Sequence, residues 1–198
     1  MAKTNKGEQS KIKLIECAAD LFLKNGYNAT GINDILAGTG LPKGSFYFHF
    51  ASKKDLAISV SEYFEKKFGG WILRNSKEKN WKEFITSLMG EMIEGAENGT
   101  HYGCPFAVLG LEIAFSDSEL SERYYNSLKK LIGLFTSIFE YSGVPKDKAH
   151  ILSNRALAIY EGYLVYYRIG KDIDTLRMML TDLIKVYDDF EMIKDKPL

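Results

Sequence analysis

The segment Lys43-Gly44-Ser45-Phe46-Tyr47-Phe48-His49-Phe50 holds the residues of this sequence best suited to meeting a charged polymer. On a helical wheel Phe46 and Phe50 stand four apart and share one face, fit for a core. Gly44, Ser45, Tyr47 and Phe48 then point away from it. An exposed Tyr-Phe pair is costly unless something covers it. A nucleic-acid duplex would do so. Ser45 and Tyr47 can donate to phosphates or base edges, Phe48 can pack on thymine methyls or sugars, and Gly44 lets a helix end come close. Lys43 and Lys53 sit at helix N-termini, where backbone N–H groups and the helix dipole already favour phosphate. His49 reads as a further phosphate contact. It lacks company as a metal ligand, because His101 and His150 lie far off and show no zinc-type spacing.

Three other residues carry chemistry of their own. Cys104 follows the loop 97–103 and precedes Pro105, a good first helical residue, so its sulfur stands at a helix N-terminus that favours thiolate. It reads either as a sensor of oxidants or electrophiles, or as an inert buried cysteine, the commoner state. Cys17, within the first helix, is expected to be packed and unreactive. Glu112 and Glu161 lie in apolar runs, where a carboxylate is rarely buried unless paired. A partner such as Arg155 or Arg168, or simple exposure, is expected ahead of a role as polar anchors in a pocket. No nucleophile elbow, phosphate loop, paired metal-ligand motif or His-Cys dyad occurs. No catalytic residue, metal or cofactor is therefore expected, and the chain does not read as an enzyme.

Helices must position these residues. Ile15, Ala18, Ala19 and Phe22 form an apolar stripe that Gly26 ends. Thr30 is set to N-cap a short second helix through Ile32, Ile35 and Leu36, and Gly38-Thr39-Gly40 breaks it. A third short helix spans 42–50. Ser52-Lys53-Lys54-Asp55 reads as a capping box opening a fourth that runs toward Leu73. Five more follow near 80–97, 104–115, 118–142, 147–169 and 173–191. The expectation is an all-α fold of about nine helices, with residues 1–56 as a helix-turn-helix domain and 57–198 as a second helical domain.

Composition agrees with an intracellular globular chain. Of 198 residues 45% are hydrophobic, and only four are Pro. The start lacks the apolar core of a signal peptide, and no apolar run reaches the ~18 residues of a membrane span. Two cysteines make no disulfide framework, which fits the cytoplasm. The formal net charge of zero hides an asymmetry: residues 1–67 hold ten Lys against seven acidic residues. A basic first third can follow phosphates while the acidic remainder stays off them.

Residues 11–56 resemble the TetR family of transcriptional regulators. The likeness runs through Ala18-Ala19-Asp20-Leu21-Phe22, Gly26-Tyr27-Asn28-Ala29-Thr30, the segment 43–50 and Ser52-Lys53-Lys54-Asp55-Leu56. It implies double-stranded DNA contacts at Thr30, Lys43, Gly44, Ser45, Tyr47, His49 and Lys53, to which the wheel adds Phe48. Pro42 departs from the commoner Ser or Thr. The likeness also implies a homodimer built on the last two helices, a small-molecule effector held among the middle helices, and repression relieved by that effector.

Two further sets of residues fit that scheme. Trp71, Trp81, Phe84, Phe106, Phe115, Tyr124 and Phe135 either fill a core or line a pocket for a flat apolar ligand, with Cys104 at its wall. Tyr163 and Tyr167 continue a stripe from Tyr160 beside Gly162, and Leu176, Leu180, Leu183 and Tyr187 form a second stripe. Either stripe could face the chain's own core; together, on two adjacent long helices, they better suit a four-helix dimer interface. Helix four, beginning at the DNA backbone, would carry the effector signal. It would change the separation of two reading heads that must match half-sites about 34–36 Å apart, or a multiple of that.

Overall fold

The glycines and prolines that interrupt the apolar periodicity mark the helix ends. The computed structural model describes residues 6–194, which form nine helices and no strand among the described residues. They are α1 (Lys6–Asn25), α2 (Ile32–Thr39), α3 (Lys43–His49), α4 (Lys53–Ser76), α5 (Trp81–Glu97), α6 (Pro105–Ile113), α7 (Ser118–Tyr141), α8 (Lys146–Gly170) and α9 (Ile173–Lys194). None is long and apolar enough to cross a membrane. The chain packs as two units. One joins the described part of Met1–Lys67 to Pro105–Ser127; the other joins Phe68–Cys104 to the described part of Leu128–Leu198.

In the first unit α1 packs on α2, α3 and α6. Its buried face is Leu14, Ala18, Ala19 and Phe22; Ile15 sits half-buried at the edge of the stripe. Ile35, Phe46, Phe50, Leu56, Val60, Phe106, Leu109, Ile113 and Leu120 complete the core. Each such large apolar side chain contributes about 1.5–3 kcal/mol by leaving water. The N-cap of α2 is Gly31, one residue beyond the expected Thr30, and the Asp34 carboxylate accepts the Gly31 N–H at 2.7 Å. Gly40 ends α2 in the left-handed region (φ 67°) and donates its N–H to Leu36 at 2.9 Å, a geometry that glycine adopts without strain. Only the Ser52 half of the expected capping box of α4 forms, and the Asp55 carboxylate reaches one residue past the cap. Ser52 Oγ accepts the Asp55 N–H at 3.1 Å, and Asp55 accepts the Ala51 N–H at 3.0 Å.

In the second unit α9 packs on both α5 and α8. Asn80 caps α5 through a reciprocal pair with Glu83, each bond 3.0 Å. Trp81, the first residue of α5, is fully buried. Its ring stacks on Phe139 at 3.9 Å, and its Nε1–H donates to the Leu183 carbonyl at 2.8 Å. The indole thereby finds the partner that a buried Trp needs.

Candidate functional site

α3 presents two faces of opposite character. Phe46 and Phe50 are buried, while Tyr47 is 51% and Phe48 79% exposed. Lys43 and Gly44 are exposed too, and the space around Gly44 is open. The Lys43 ammonium lies 5.8 Å from the Tyr47 ring, and the Phe48 ring meets His49 edge-on at 4.9 Å. Ser45 and His49 are half-buried at the margins of this face. Lys43, Gly44, Tyr47 and Phe48 therefore form one open surface, cationic at its N-terminal end.

Thr30 and Lys53 depart from the expected pattern. The Thr30 side chain is buried, and its hydroxyl donates to the Gly26 carbonyl at 2.8 Å. It closes the C-terminus of α1 instead of facing outward, because the last carbonyls of that helix need donors. The Lys53 ammonium donates to the Tyr27 and Thr30 carbonyls at 3.0 and 3.1 Å and lies 4.3 Å from the Tyr27 ring. Two of its three protons thus hold the α1–α2 turn, leaving one for an outside acceptor.

The same turn is held from the other side by α6. The Glu112 carboxylate accepts the N–H of Tyr27 at 2.7 Å and of Asn28 at 2.6 Å. Gly26 makes room for it: at φ 95° a Cβ there would stand 2.9 Å from Glu112 Oε2. Neither Arg155 nor Arg168 is the partner of Glu112, contrary to expectation; Arg155 pairs with Asp189 at 3.2 Å. Lys54 adds a second tie, bridging Asp117 and Glu119, each at 2.9 Å. The Leu120 N–H first, and then Lys54, hold the Asp117 carboxyl below its ordinary range.

The aromatic residues proposed as a pocket do not share one packing unit. Trp81, Phe84 and Phe135 interlock in the second unit, with ring centroids 5.4 to 6.1 Å apart. Trp71 is half-buried there and donates its indole N–H to Glu91. Phe106 and Tyr124 are buried in the first unit, Gly110 lying against the Tyr124 Cβ. Phe115 is fully exposed beyond the end of α6 and lines nothing. Its stripe stops at Ile113 because the chain turns there: the Ser116 and Asp117 N–H groups both bond back to the Ile113 carbonyl.

Buried polar groups concentrate where the α5–α6 loop meets α8. Cys104 is 1% exposed and not in a disulfide. Tyr160 is 1% exposed, and Glu161 keeps both carboxylate oxygens out of solvent. Glu161 therefore lacks the expected Arg partner. Arg168 instead donates to the Tyr102 carbonyl at 2.6 Å, pinning the loop together with the Tyr167 hydroxyl, 3.4 Å from the His101 carbonyl. Burial pushes the Glu161 carboxyl up to about 7, and a hydrogen bond with the Cys104 thiol opposes it more weakly. Burial, helped by Lys171, pushes His101 down to about 4. The sequence marked Cys104, Tyr160 and Glu161 separately; it had no signal that would bring His101 beside α8.

Of the residues proposed for dimerisation, Leu176, Leu183 and Tyr167 are buried inside their own unit and have no surface to offer. They face inward because α9 packs on α5 and α8. Tyr163 hydrogen-bonds Asp182 at 2.5 Å, Tyr187 donates to the Ser142 carbonyl at 2.7 Å, and Leu180 is half-buried. Gly162 is exposed with open space around it. The large apolar side chains exposed on these helices are Ile151, Val165, Tyr166 and Ile169 on α8 and Met178 and Met192 on α9, at 40 to 79%.

Comparison with known proteins supplies the family. Residues 14–60 match the model of bacterial regulatory proteins of the tetR family, and residues 82–181 match that of the LmrA/YxaF-like regulator C-terminal domain. An uncharacterized HTH-type transcriptional regulator in the lacX 3′ region of Lactococcus lactis is 28% identical, covering 94% of this chain and 96% of its own. The HTH-type transcriptional regulator LmrA of Bacillus subtilis is 26% identical, covering 89% and 97%. In fold, the chain is similar to a TetR-family regulator from Agrobacterium tumefaciens, with TM-score 0.82, 20% identity and coverage of 91% and 98%. The reduced form of Escherichia coli NemR gives TM-score 0.75 at 20% identity, covering 88% and 95%. With nine helices and no strand among its described residues, and matched by one model at its head and by another across α5 to α9, the chain belongs to the TetR family of DNA-binding transcriptional regulators.

Proposed function

We propose that this regulator is a repressor that binds an inverted-repeat operator as a homodimer and leaves it when a small molecule binds the second unit. The observation that carries the reading is the split character of α3. Phe46 and Phe50 anchor it, while Lys43, Gly44, Tyr47 and Phe48 stay uncovered. Such a face suits a major groove, with the lysine on phosphate and the aromatic pair on sugars or base edges. The exposed Val165, Tyr166 and Ile169 on α8 support self-association, since contiguous exposed apolar surface marks interaction sites. A two-fold dimer presents two identical heads and so reads an inverted repeat.

The effector signal has a short covalent route. The Cys104–Pro105 peptide bond leads from the second unit into α6, whose Glu112 holds the turn before α2. A shift of α6 therefore acts on the reading head directly, in addition to any motion of α4. The test is selection of bound fragments from a random duplex pool, followed by a screen for compounds that release them. The expected outcome is an inverted repeat whose affinity falls steeply with salt. A site with a single unrepeated half, or binding that no compound in a broad chemical library relieves, would overturn the reading.

A further inference from the structure

Within the first unit, α1 and α4 leave an open groove of about 240 Å³ between them. Ile12 and Ile15 of α1 line it, and so do Ser59, Tyr63 and Lys66 of α4. These positions recur at intervals of three or four, so each helix turns one face to the groove. Ile12 is 43% exposed, and Ile15 and Tyr63 are half-buried, so the wall is apolar and uncovered. A concave apolar wall on which a few polar groups converge is the usual form of a small-molecule site.

The charges around the groove favour one sign of ligand. Lys11 on α1 and Lys66 on α4 belong to the lining, and both are exposed. The Lys11 ammonium lies 5.8 Å from the Phe50 ring, and neither lysine has an acidic partner among the described residues. Lys67 adds a third cation beside the wall, its Nζ 3.4 Å from the Tyr63 hydroxyl and 5.5 Å from that ring. Glu62 is the one carboxylate of the lining, and Arg123 stands 3.9 Å from it. The balance is positive, and a cleft lined by one sign of charge concentrates ions of the other.

We propose that this groove is a ligand site of the reading head itself, and that it takes a small organic anion with a flat apolar body. Lysine is a point charge that accepts any anion, so the selection comes from the wall. Ile12, Ile15 and Tyr63 favour a ring over water, while Lys11, Lys66 and the Ser59 hydroxyl hold the charged end. A space of about 240 Å³ suits one or two fused rings and falls short of a drug-sized ligand. The site lies wholly in the first unit and stands whether or not the second unit binds an effector.

The test uses the full chain without DNA and three probes: naphthalene-2-carboxylate, its neutral isostere naphthalene-2-carboxamide, and acetate. With isotope-labelled isoleucine methyl groups, the naphthalene carboxylate should shift the NMR signals of Ile12 and Ile15 saturably, with a Kd on the order of 0.1–1 mM. The amide should bind about threefold to thirtyfold more weakly, the range for two exposed ion contacts, and the difference should shrink with added salt. Acetate, which has the charge without the body, should not displace the naphthalene carboxylate at about tenfold excess. The double variant Lys11→Gln with Lys66→Gln should bind carboxylate and amide alike. Glu62→Gln should hold the carboxylate more tightly, and Ile12→Ala should weaken both naphthalene probes by a similar factor. A thermal melt confirms that each variant folds. Equal binding of carboxylate and amide by the native chain, or an unchanged preference in the double lysine variant, overturns the proposal. So does the absence of any shift at Ile12 and Ile15 up to about 10 mM. A native dimer that Ile12→Glu dissociates in sedimentation would put a second copy of the chain in the groove and overturn it as well.

Discussion

Glu112 accepts the backbone N–H of Tyr27 at 2.7 Å across 85 positions of sequence, and the Asn28 N–H beside it at 2.6 Å. One carboxylate on α6 thus completes the end of α1, whose turn decides where α2 and α3 stand. A charged acceptor on two backbone donors is worth more than a neutral one. Glu112→Gln keeps the shape but loses the charge and one acceptor, and should cost about 1–3 kcal/mol in chemical denaturation. Operator affinity should fall with it. Gly26→Ala, which forces a Cβ toward the same carboxylate at φ 95°, should behave alike. Full stability in both variants would show that the clamp is idle.

The two faces of α3 separate reading from folding. Tyr47→Ala and Lys43→Ala should weaken operator binding with no loss of thermal stability, and Lys43→Ala should lower the salt slope by about one. Phe46→Ala should instead cost about 3–5 kcal/mol of stability, since that ring is fully buried. Normal operator binding by Tyr47→Ala would refute the assigned phase of this helix.

For the dimer, charge on the exposed face of α8 should act without unfolding. Tyr166→Glu or Ile169→Glu should give a folded monomer in sedimentation equilibrium that no longer binds operator. Leu183→Glu should unfold the second unit, because that side chain is completely buried. A wild-type monomer at micromolar concentration would remove the basis of the scheme.

His101 and Glu161 should oppose each other in the pH dependence of stability. His101 titrates near 4 in the folded chain against an ordinary 6.5, so the unfolded chain binds more protons between them and stability falls as pH drops through that window. Glu161 titrates near 7 against an ordinary 4.5, so the folded chain binds more protons and stability falls as pH rises from 4.5 through 7. Each effect is worth up to about 3 kcal/mol, and they nearly cancel between pH 4.5 and 6.5. Relative to wild type, Glu161→Gln should lose stability toward acid and His101→Gln should lose it toward neutrality. Parallel melting curves against pH for all three proteins would contradict this.

Cysteine labelling should rank opposite to the helix-terminus argument. Cys104 is buried, while Cys17 is half-buried and gives its Sγ–H to the Ile35 carbonyl at 3.7 Å. Burial, and then Asp20, pushes the Cys17 thiol above its ordinary value, so it too should react slowly. With iodoacetamide and mass spectrometry, Cys104 should label no faster than Cys17 in the native protein. Rapid labelling of Cys104 coupled to operator release would revive a thiol sensor.

Local pattern made much of this molecule readable from its sequence. Helix ends fell near their punctuation, because Gly26, Gly40 and Pro105 act through their own backbones. The outward turn of Tyr47 and Phe48 followed from a wheel anchored on Phe46 and Phe50. What escaped were partnerships across long separations. Thr30 and Lys53 have residue types fit for phosphate, yet carbonyls left over at the end of α1 claim them. Leu176 and Leu183 form a stripe that any partner helix could cover, and α5 and α8 of the same chain take it. The docking of the α5–α6 loop on α8 lay beyond reach for the same reason: nothing local ties His101 and Tyr102 to Tyr167 and Arg168.

The clamp of Glu112 on the α1–α2 turn bears on how such a regulator can be recombined. A reading head cut out at its apparent C-terminal edge would leave behind the α6 segment that holds it. Grafting the first 67 residues onto a foreign sensor therefore transfers the recognition helix without the carboxylate that Gly26 accommodates. A functional chimera needs a recipient that presents an acid at the same point of its own sixth helix, or a graft that takes Pro105–Ser127 along as a second, separate insert.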